Sequence, residues 1–444
     1  MKKRVHILIM TLMLIVACVG CSGSSDNPPP ANSLHSASTI PISAMPSFST
    51  PSPTVEDTEN QQSKTVNYLI NSMTLEEKIG QIFIVAFRKG KSSRPLKVLD
   101  NSTKLKIQNF NPGGIILFSE NIDTIPQTQK LIRDMQEASK IPMFIAVDEE
   151  GGRIARIGNN PKMHSTKIPS AQTIGLADDP ELAYEAGRIL GAELSALGFN
   201  MNFAPVADVN TNPDNPVIGD RSFGSDPYKV GLMVQAMSKG MQEQNVCTVL
   251  KHFPGHGDTS YDSHLGQVVI NHDIERLRQI ELTPFKMGIK AGADGVMTAH
   301  IIMPNITGSN LPATLSEEIL SGLLRNELKH EKLIITDAME MKAISNYWSS
   351  SKAAVMAFKA GADIILMPES FEEAYNGILK AVKDGEITEE RLNQSLQRIL
   401  ALKFERNILA NKESSVDPEK VLGRQEHTDI VVKIMQKAEE QNIP

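Results

Sequence analysis

Cys247-Thr248-Val249-Leu250-Lys251-His252-Phe253-Pro254-Gly255-His256-Gly257-Asp258-Thr259-Ser260-Tyr261-Asp262-Ser263-His264 joins a short apolar run to a loop dense in titratable side chains. The first four residues read as a buried strand. The fourteen from Lys251 to His264 hold three His, two Asp and a Lys. Pro254, Gly255 and Gly257 bar a regular helix there. A strand that ends in Lys-His and opens into a polar loop is how a rigid scaffold carries reactive groups. So many titratable groups in one loop point to a site rather than to a solvated connection.

The same unit recurs on both sides. Apolar runs fall at residues 81–87, 114–118, 143–147, 201–206, 247–250, 295–299, 333–336 and 363–367. They are continuous rather than alternating, as strands buried on both faces are. Amphipathic helical patterns lie between most of them, at 180–194, 229–241, 275–289 and 317–328, whereas the gap at 88–113 has the weakest helical signal. Eight such units predict an α/β fold of the (β/α)8 TIM-barrel type, with an open doubly wound sheet as the alternative. Polar residues mark the C-terminal ends of the runs: Ser119-Glu120-Asn121, Asp148-Glu149-Glu150, Asp208, Lys251-His252, His300 and Asp337. In a barrel those ends converge on one mouth, where active sites sit.

Outside this body the composition changes. Met1-Lys2-Lys3-Arg4 is basic and residues 7–18 are almost wholly apolar, which reads as a secretory signal. The run is short for a membrane span of about 20 residues, so an uncleaved anchor is the weaker alternative. Residues 22–62 are rich in Ser, Pro, Thr and Asn and read as a flexible tether. The expected organisation is signal and anchor site at 1–21, linker at 22–62, barrel at 63–406 and a short C-terminal helical extension at 407–444. Within it, two closing helices are expected at 370–406 and a terminal helix at 428–441. Hydrophobic residues make up 41% of the 444, enough for a large core, and the net charge of −7 argues against nucleic acid as a partner. Three cysteines, two of them at 18 and 21, imply no disulfide framework.

Several residues at the barrel mouth carry candidate chemistry. Asp337 could serve as a nucleophile, a base, a metal ligand or a structural acceptor. His264 and Asp262 are two apart, so in an extended loop they project to one side. The carboxylate can then fix the imidazole tautomer and raise its basicity, which makes an acid/base dyad. His252, His256, Asp258 and His264 offer donors that zinc accepts, but their spacing matches no zinc pattern and Lys251 stands beside them, so no metal is expected. Lys251, Arg156 and Arg221 could hold hydroxyls, a carbonyl or an anion. Asp148 precedes a Gly151-Gly152 turn that can aim it inward, where it could bond vicinal sugar hydroxyls.

Blocks along residues 64–405 resemble glycoside hydrolase family 3, in its bacterial β-N-acetylglucosaminidase branch. They are Met73-Thr74-Leu75-Glu76-Glu77-Lys78-Ile79-Gly80-Gln81, Val147-Asp148-Glu149-Glu150-Gly151-Gly152-Arg153, Asn202-Phe203-Ala204-Pro205-Val206-Ala207-Asp208-Val209, Gly219-Asp220-Arg221-Ser222-Phe223-Gly224, the stretch quoted first, and Ile335-Thr336-Asp337-Ala338-Met339. The resemblance implies a retaining mechanism with no cofactor. Asp337 matches the nucleophile, His264 the acid/base and Asp262 its partner, a departure from the usual pair of carboxylates. Asp148, Arg156, Arg221, Lys251 and His252 match positions that grip the sugar. Glu149 stands where relatives often have Gln, with little consequence expected. The implied substrate is a terminal β-linked N-acetylglucosamine at a muropeptide or chitooligosaccharide end.

Ile15-Val16-Ala17-Cys18 resembles a lipobox. That implies a lipid on Cys18, with Cys21 the second choice, and an anchor on the outer face of the cytoplasmic membrane; a monomer is expected. Longer relatives continue into a second α/β domain. Two other functions fit the residues less well. A phosphorylase would use phosphate as acceptor, which a neutral His would admit more readily than a carboxylate. A non-catalytic sugar-binding lipoprotein would have no need of Asp337, Asp262 and His264 together.

Overall fold

The structure, a computed structural model, describes residues 55–259, 266–410 and 416–441. Cys18, Cys21, Asp262 and His264 lie outside the described residues.

All eight apolar runs form strands. We label them β1 (Phe83–Ala86), β2 (Gly114–Ile116), β3 (Phe144–Val147), β4 (Met201–Asn202), β5 (Cys247–Phe253), β6 (Gly295–Thr298), β7 (Leu333–Ile335) and β8 (Ile365–Leu366). Every pair is parallel, and the order β7-β6-β5-β4-β3-β2-β1-β8 keeps each strand beside its neighbours in the chain. A parallel bridge between Ile335 and Ile364 joins β7 to the start of β8 and closes the ring. A doubly wound sheet would reverse its strand order and leave two open edges. The closed order is that of a (β/α)8 barrel.

The residues of β2 and β3 are buried throughout, with Phe144, Ile145 and Ala146 at zero exposure. That is why these runs lack alternation: one face fills the barrel and the other lies under helices. The weak signal at 88–113 conceals the helix Asn101–Phe110, which buries only Thr103 and Ile107 and starts where the Asp100 carboxylate accepts from Thr103 N at 2.7 Å. The helices Pro180–Leu197 and Pro227–Gln242 pack in direct contact through glycines. A Cβ on Gly240 would stand 2.2 Å from Tyr184 O, and one on Gly187 would stand 2.1 Å from Met237 O.

Two helical segments differ from the sequence expectation, and the expected terminal helix is present. The continuous helix expected at 275–289 is two, Ile274–Gln279 and Leu282–Lys290. Pro284 explains the break, because its ring would clash with the carbonyl of residue 280 in an unbroken helix. A helix starts at Val55, inside the stretch read as linker, and runs to Ser72; Gln62 Nε2 donates to Ala401 O at 3.0 Å. The terminal helix, Gln425–Gln441, is tied to the barrel wall. The buried Glu193 carboxylate takes Gly423 N and His427 Nδ1, both at 3.0 Å, and Lys437 Nζ reaches Asp179 Oδ2 at 2.6 Å.

Candidate active site

The mouth is built outward from β5. This strand runs three residues further than expected, so Lys251 and His252 belong to it rather than to the loop. Its ladder with β6 slips between Leu250 and Phe253, and Lys251 bridges to Val206 on the other side. Such a bulge re-aims the side chains it carries. The Lys251–His252 and Phe253–Pro254 peptide bonds are cis.

Lys251 is only 2% exposed, yet its ammonium meets two carboxylates, Asp148 Oδ1 at 2.9 Å and Glu150 Oε1 at 2.7 Å. Burial alone would lower the lysine's pKa, but these two acids raise it, so it stays charged. Arg221 grips Glu150 with both ends of its fork, Nε to Oε2 at 2.9 Å and Nη2 to Oε1 at 2.8 Å. Burial pushes the Glu150 carboxyl up, and the two cations outweigh it and hold the group well below the usual carboxylate range. Arg156 Nη2 stands 3.5 Å from Asp148 Oδ2. The cluster thus sets three cations against two anions, a balance that favours hydroxyl or anionic acceptors in the cavity.

His252 is fixed from behind. Its Nδ1 lies 2.7 Å from Asp208 Oδ2, and its Nε2 lies 3.3 Å from Arg221 Nη2. Arginine can only donate, so Nε2 accepts and the proton sits on Nδ1, facing Asp208. Asp208, with no exposure, also takes the backbone N–H of His252 and of His256. Burial would raise its pKa, but His252 and those donors bring it below normal. His256 is buried beside them, with Nδ1 at 2.8 Å from Thr259 Oγ1, and burial lowers its pKa to about 4.

Asp337 follows β7. Its carboxylate Oδ1 accepts from Ala338 N at 2.7 Å, and its own N–H points to Thr298 Oγ1 at 3.3 Å. A cavity of about 320 Å3 joins these parts, and Asp148, Arg156, Arg221, Lys251, His252 and Asp337 all line it. Six of the predicted site residues therefore share one space. Its rim carries Phe118, with the Arg88 guanidinium 3.7 Å from the ring centre, a stacked pair suited to a sugar face or an aglycone. A wider groove of about 770 Å3 lies elsewhere, lined by residues such as Gln129, Asn200 and Arg406, and none of the candidate residues lines it. Among the described residues, no three His, Cys, Asp or Glu side chains are grouped as a metal ion requires. Asp258, weighed as a ligand, instead meets His272 Nε2 at 2.6 Å.

Sequence reasoning passed over Glu150, Asp208 as a partner of His252, and His256 as part of the wall. Glu150 was legible: in the extended segment Glu149–Gly151, alternation puts residues 148 and 150 on one side and 149 on the other. Glu149 accordingly faces away. It is 3% exposed, accepts Gly158 N and Ile157 N at 2.8 Å each, and has its pKa pushed up to about 7 by burial.

The family model described as the glycosyl hydrolase family 3 N terminal domain matches residues 74–402. The chain belongs to that family. A family 3 β-N-acetylglucosaminidase from Paenibacillus sp. str. FPU-7 has a similar solved structure, with a TM-score of 0.78 and 39% identity over 83% of this chain and 69% of that one. A protein of Pseudoalteromonas piscicida named beta-hexosaminidase A is 36% identical over 368 residues, 74% of this chain. The match spans 61% of that relative's own length. A beta-hexosaminidase of Nitrosomonas eutropha is 32% identical over 330 residues, 71% of this chain and 93% of its own. In this family 3 chain the matched stretch carries every described site residue.

Proposed function

We infer that this chain is a retaining exo-β-N-acetylglucosaminidase, which removes terminal non-reducing β-linked N-acetylglucosamine. The observation that carries the inference is the convergence, in one cavity of a family 3 barrel, of the Asp337 carboxylate with the Asp148–Lys251–Glu150–Arg221 cluster. The cluster binds the sugar's hydroxyls and amide and fixes the ring. Asp337 attacks the anomeric carbon to give a covalent glycosyl-enzyme, while the acid/base donates a proton to the leaving oxygen. The same acid/base, now as a base, activates the water that hydrolyses the ester. His264 takes that role, with Asp262 holding its tautomer; the assignment rests on the sequence. The relatives named beta-hexosaminidase support the substrate class.

Export and a lipid on Cys18 belong to the same proposal, with residues 22–62 as tether and cell-wall muropeptides as the source of substrate. These rest on the N-terminal sequence. Incorporation of a labelled fatty acid into the chain, abolished by Cys18→Ala, would support the anchor. Retention of label in that variant would move it to Cys21.

The test of activity is turnover of an aryl β-N-acetylglucosaminide by the full chain in detergent, with and without phosphate, beside Asp337→Ala. Free N-acetylglucosamine is expected regardless of phosphate and should vanish in the variant. A sugar 1-phosphate would make the enzyme a phosphorylase. No turnover would favour a binding protein.

A further inference from the structure

Three polar side chains with no exposure stand in the wall behind Asp337: Thr298 at the end of β6, His300 just beyond it, and Thr314 in the short turn Ala313–Leu315. They form one chain of hydrogen bonds. Asp337 N reaches Thr298 Oγ1 at 3.3 Å, Thr298 Oγ1 meets Thr314 Oγ1 at 2.7 Å, Thr314 Oγ1 meets His300 Nδ1 at 2.8 Å, and His300 Nε2 meets Ala338 O at 3.0 Å. Both ends fall on the Asp337–Ala338 backbone, so the chain closes into a ring.

The ends of the ring fix its protons. Asp337 N–H can only donate and Ala338 O can only accept, so His300 carries a proton on Nε2. With Nδ1 as the acceptor, Thr298 donates to Thr314, whose single proton is shared between His300 Nδ1 at 2.8 Å and Ala299 O at 3.0 Å. The remaining link is the one that matters for chemistry. Ala338 N–H donates to Asp337 Oδ1 at 2.7 Å, and the peptide unit that orients the carboxylate lies between the two units the ring holds. Apolar residues of similar shape would pack this wall without the desolvation cost of two hydroxyls and an imidazole.

The geometry points to Thr298, Thr314 and His300 as positioning residues that hold the Asp337 carboxylate on its line of attack. The inference rests on the hydrolase reading, in which Asp337 is the nucleophile. Displacement of a reacting group by about 1 Å costs about 100-fold in rate. Thr298→Val and His300→Leu should therefore lower kcat/KM on aryl β-N-acetylglucosaminides by about 10- to 100-fold.

Three features separate positioning from a merely structural part. The loss should be the same for good and poor leaving groups, because the nucleophile and not the proton donor is disturbed. The inhibition constant for N-acetylglucosamine should stay within about twofold, because Ala338 and Asp337 are held from behind. Thr298→Ser and His300→Gln, which keep the hydroxyl and the donor, should restore most of the rate. Thr314→Val breaks the ring at its far side and should reproduce the loss if either other variant fails to fold. Crystal structures of the variants should show the Asp337 carboxylate turned from its Ala338 N–H.

Wild-type kcat/KM per folded molecule, a loss that grows with leaving-group pKa, or an unmoved Asp337 carboxylate would each overturn the inference. An inactive wild-type enzyme would count against the hydrolase reading alone, since the crystal structures read the position of Asp337 without turnover.

Discussion

Replacing Glu149 by Gln tests whether burial or hydrogen bonding governs a carboxylate next to the active site. Its oxygens take two backbone N–H groups at 2.8 Å each, which favours the ionised form. Burial outweighs them and, with smaller repulsion from Glu193, raises the pKa from 4.5 to about 7. A group whose pKa is raised on folding stabilises the fold fully below its unfolded value. That contribution is lost as pH rises through the folded value. With that rise in pKa, the loss between pH 4.5 and pH 8 is about 3 kcal/mol. Glutamine does not titrate, but its NH2 cannot accept, so one of the two N–H groups loses its acceptor at a cost of about 1–3 kcal/mol at every pH. In urea unfolding, the stability of Glu149→Gln relative to the wild type should therefore rise by about 3 kcal/mol between pH 4.5 and pH 8. His256 and His330, both held near 4 by burial, tilt stability the other way, since buried neutral imidazoles lose stability as pH falls. They are common to both proteins and cancel in the difference. A difference that stays flat or falls from pH 4.5 to pH 8 would refute the reasoning, because the N–H bonds would then have outweighed burial.

Glu150→Gln removes one anion from between Arg221 and Lys251 and leaves the two cations facing each other in a buried site. Breaking such a pair costs about 3–5 kcal/mol, to be read by denaturant unfolding at pH 7, and substrate affinity should fall with it. An unchanged midpoint would show that Asp148 alone offsets Lys251. His264→Ala should lower turnover severely on poor leaving groups and much less on activated aryl ones, by the general-acid share of about 100- to 10,000-fold. Equal losses on both would remove His264 as the proton donor.

The barrel and its mouth were legible in the residue order alone. Eight continuous apolar runs, six of them followed by polar residues, follow from a local requirement that a strand be apolar where it is buried and polar where it emerges. Asp148, Arg156, Arg221, Lys251, His252 and Asp337 were all legible in that way, from type and place in the unit. The break at residue 280 could also have been read, from Pro284. Which side chains pair emerges from the folded chain. Lys251 reaches Asp148 across 103 residues of chain, and Asp208 reaches His252 across 44. Those contacts depend on the register of parallel strands and on a slip in one ladder, neither of which leaves a local periodicity. The inward turn of Glu150, the burial that raises the Glu149 pKa and the ring behind Asp337 are of the same kind. Each is set by which groups close packing brings together and which it removes from water.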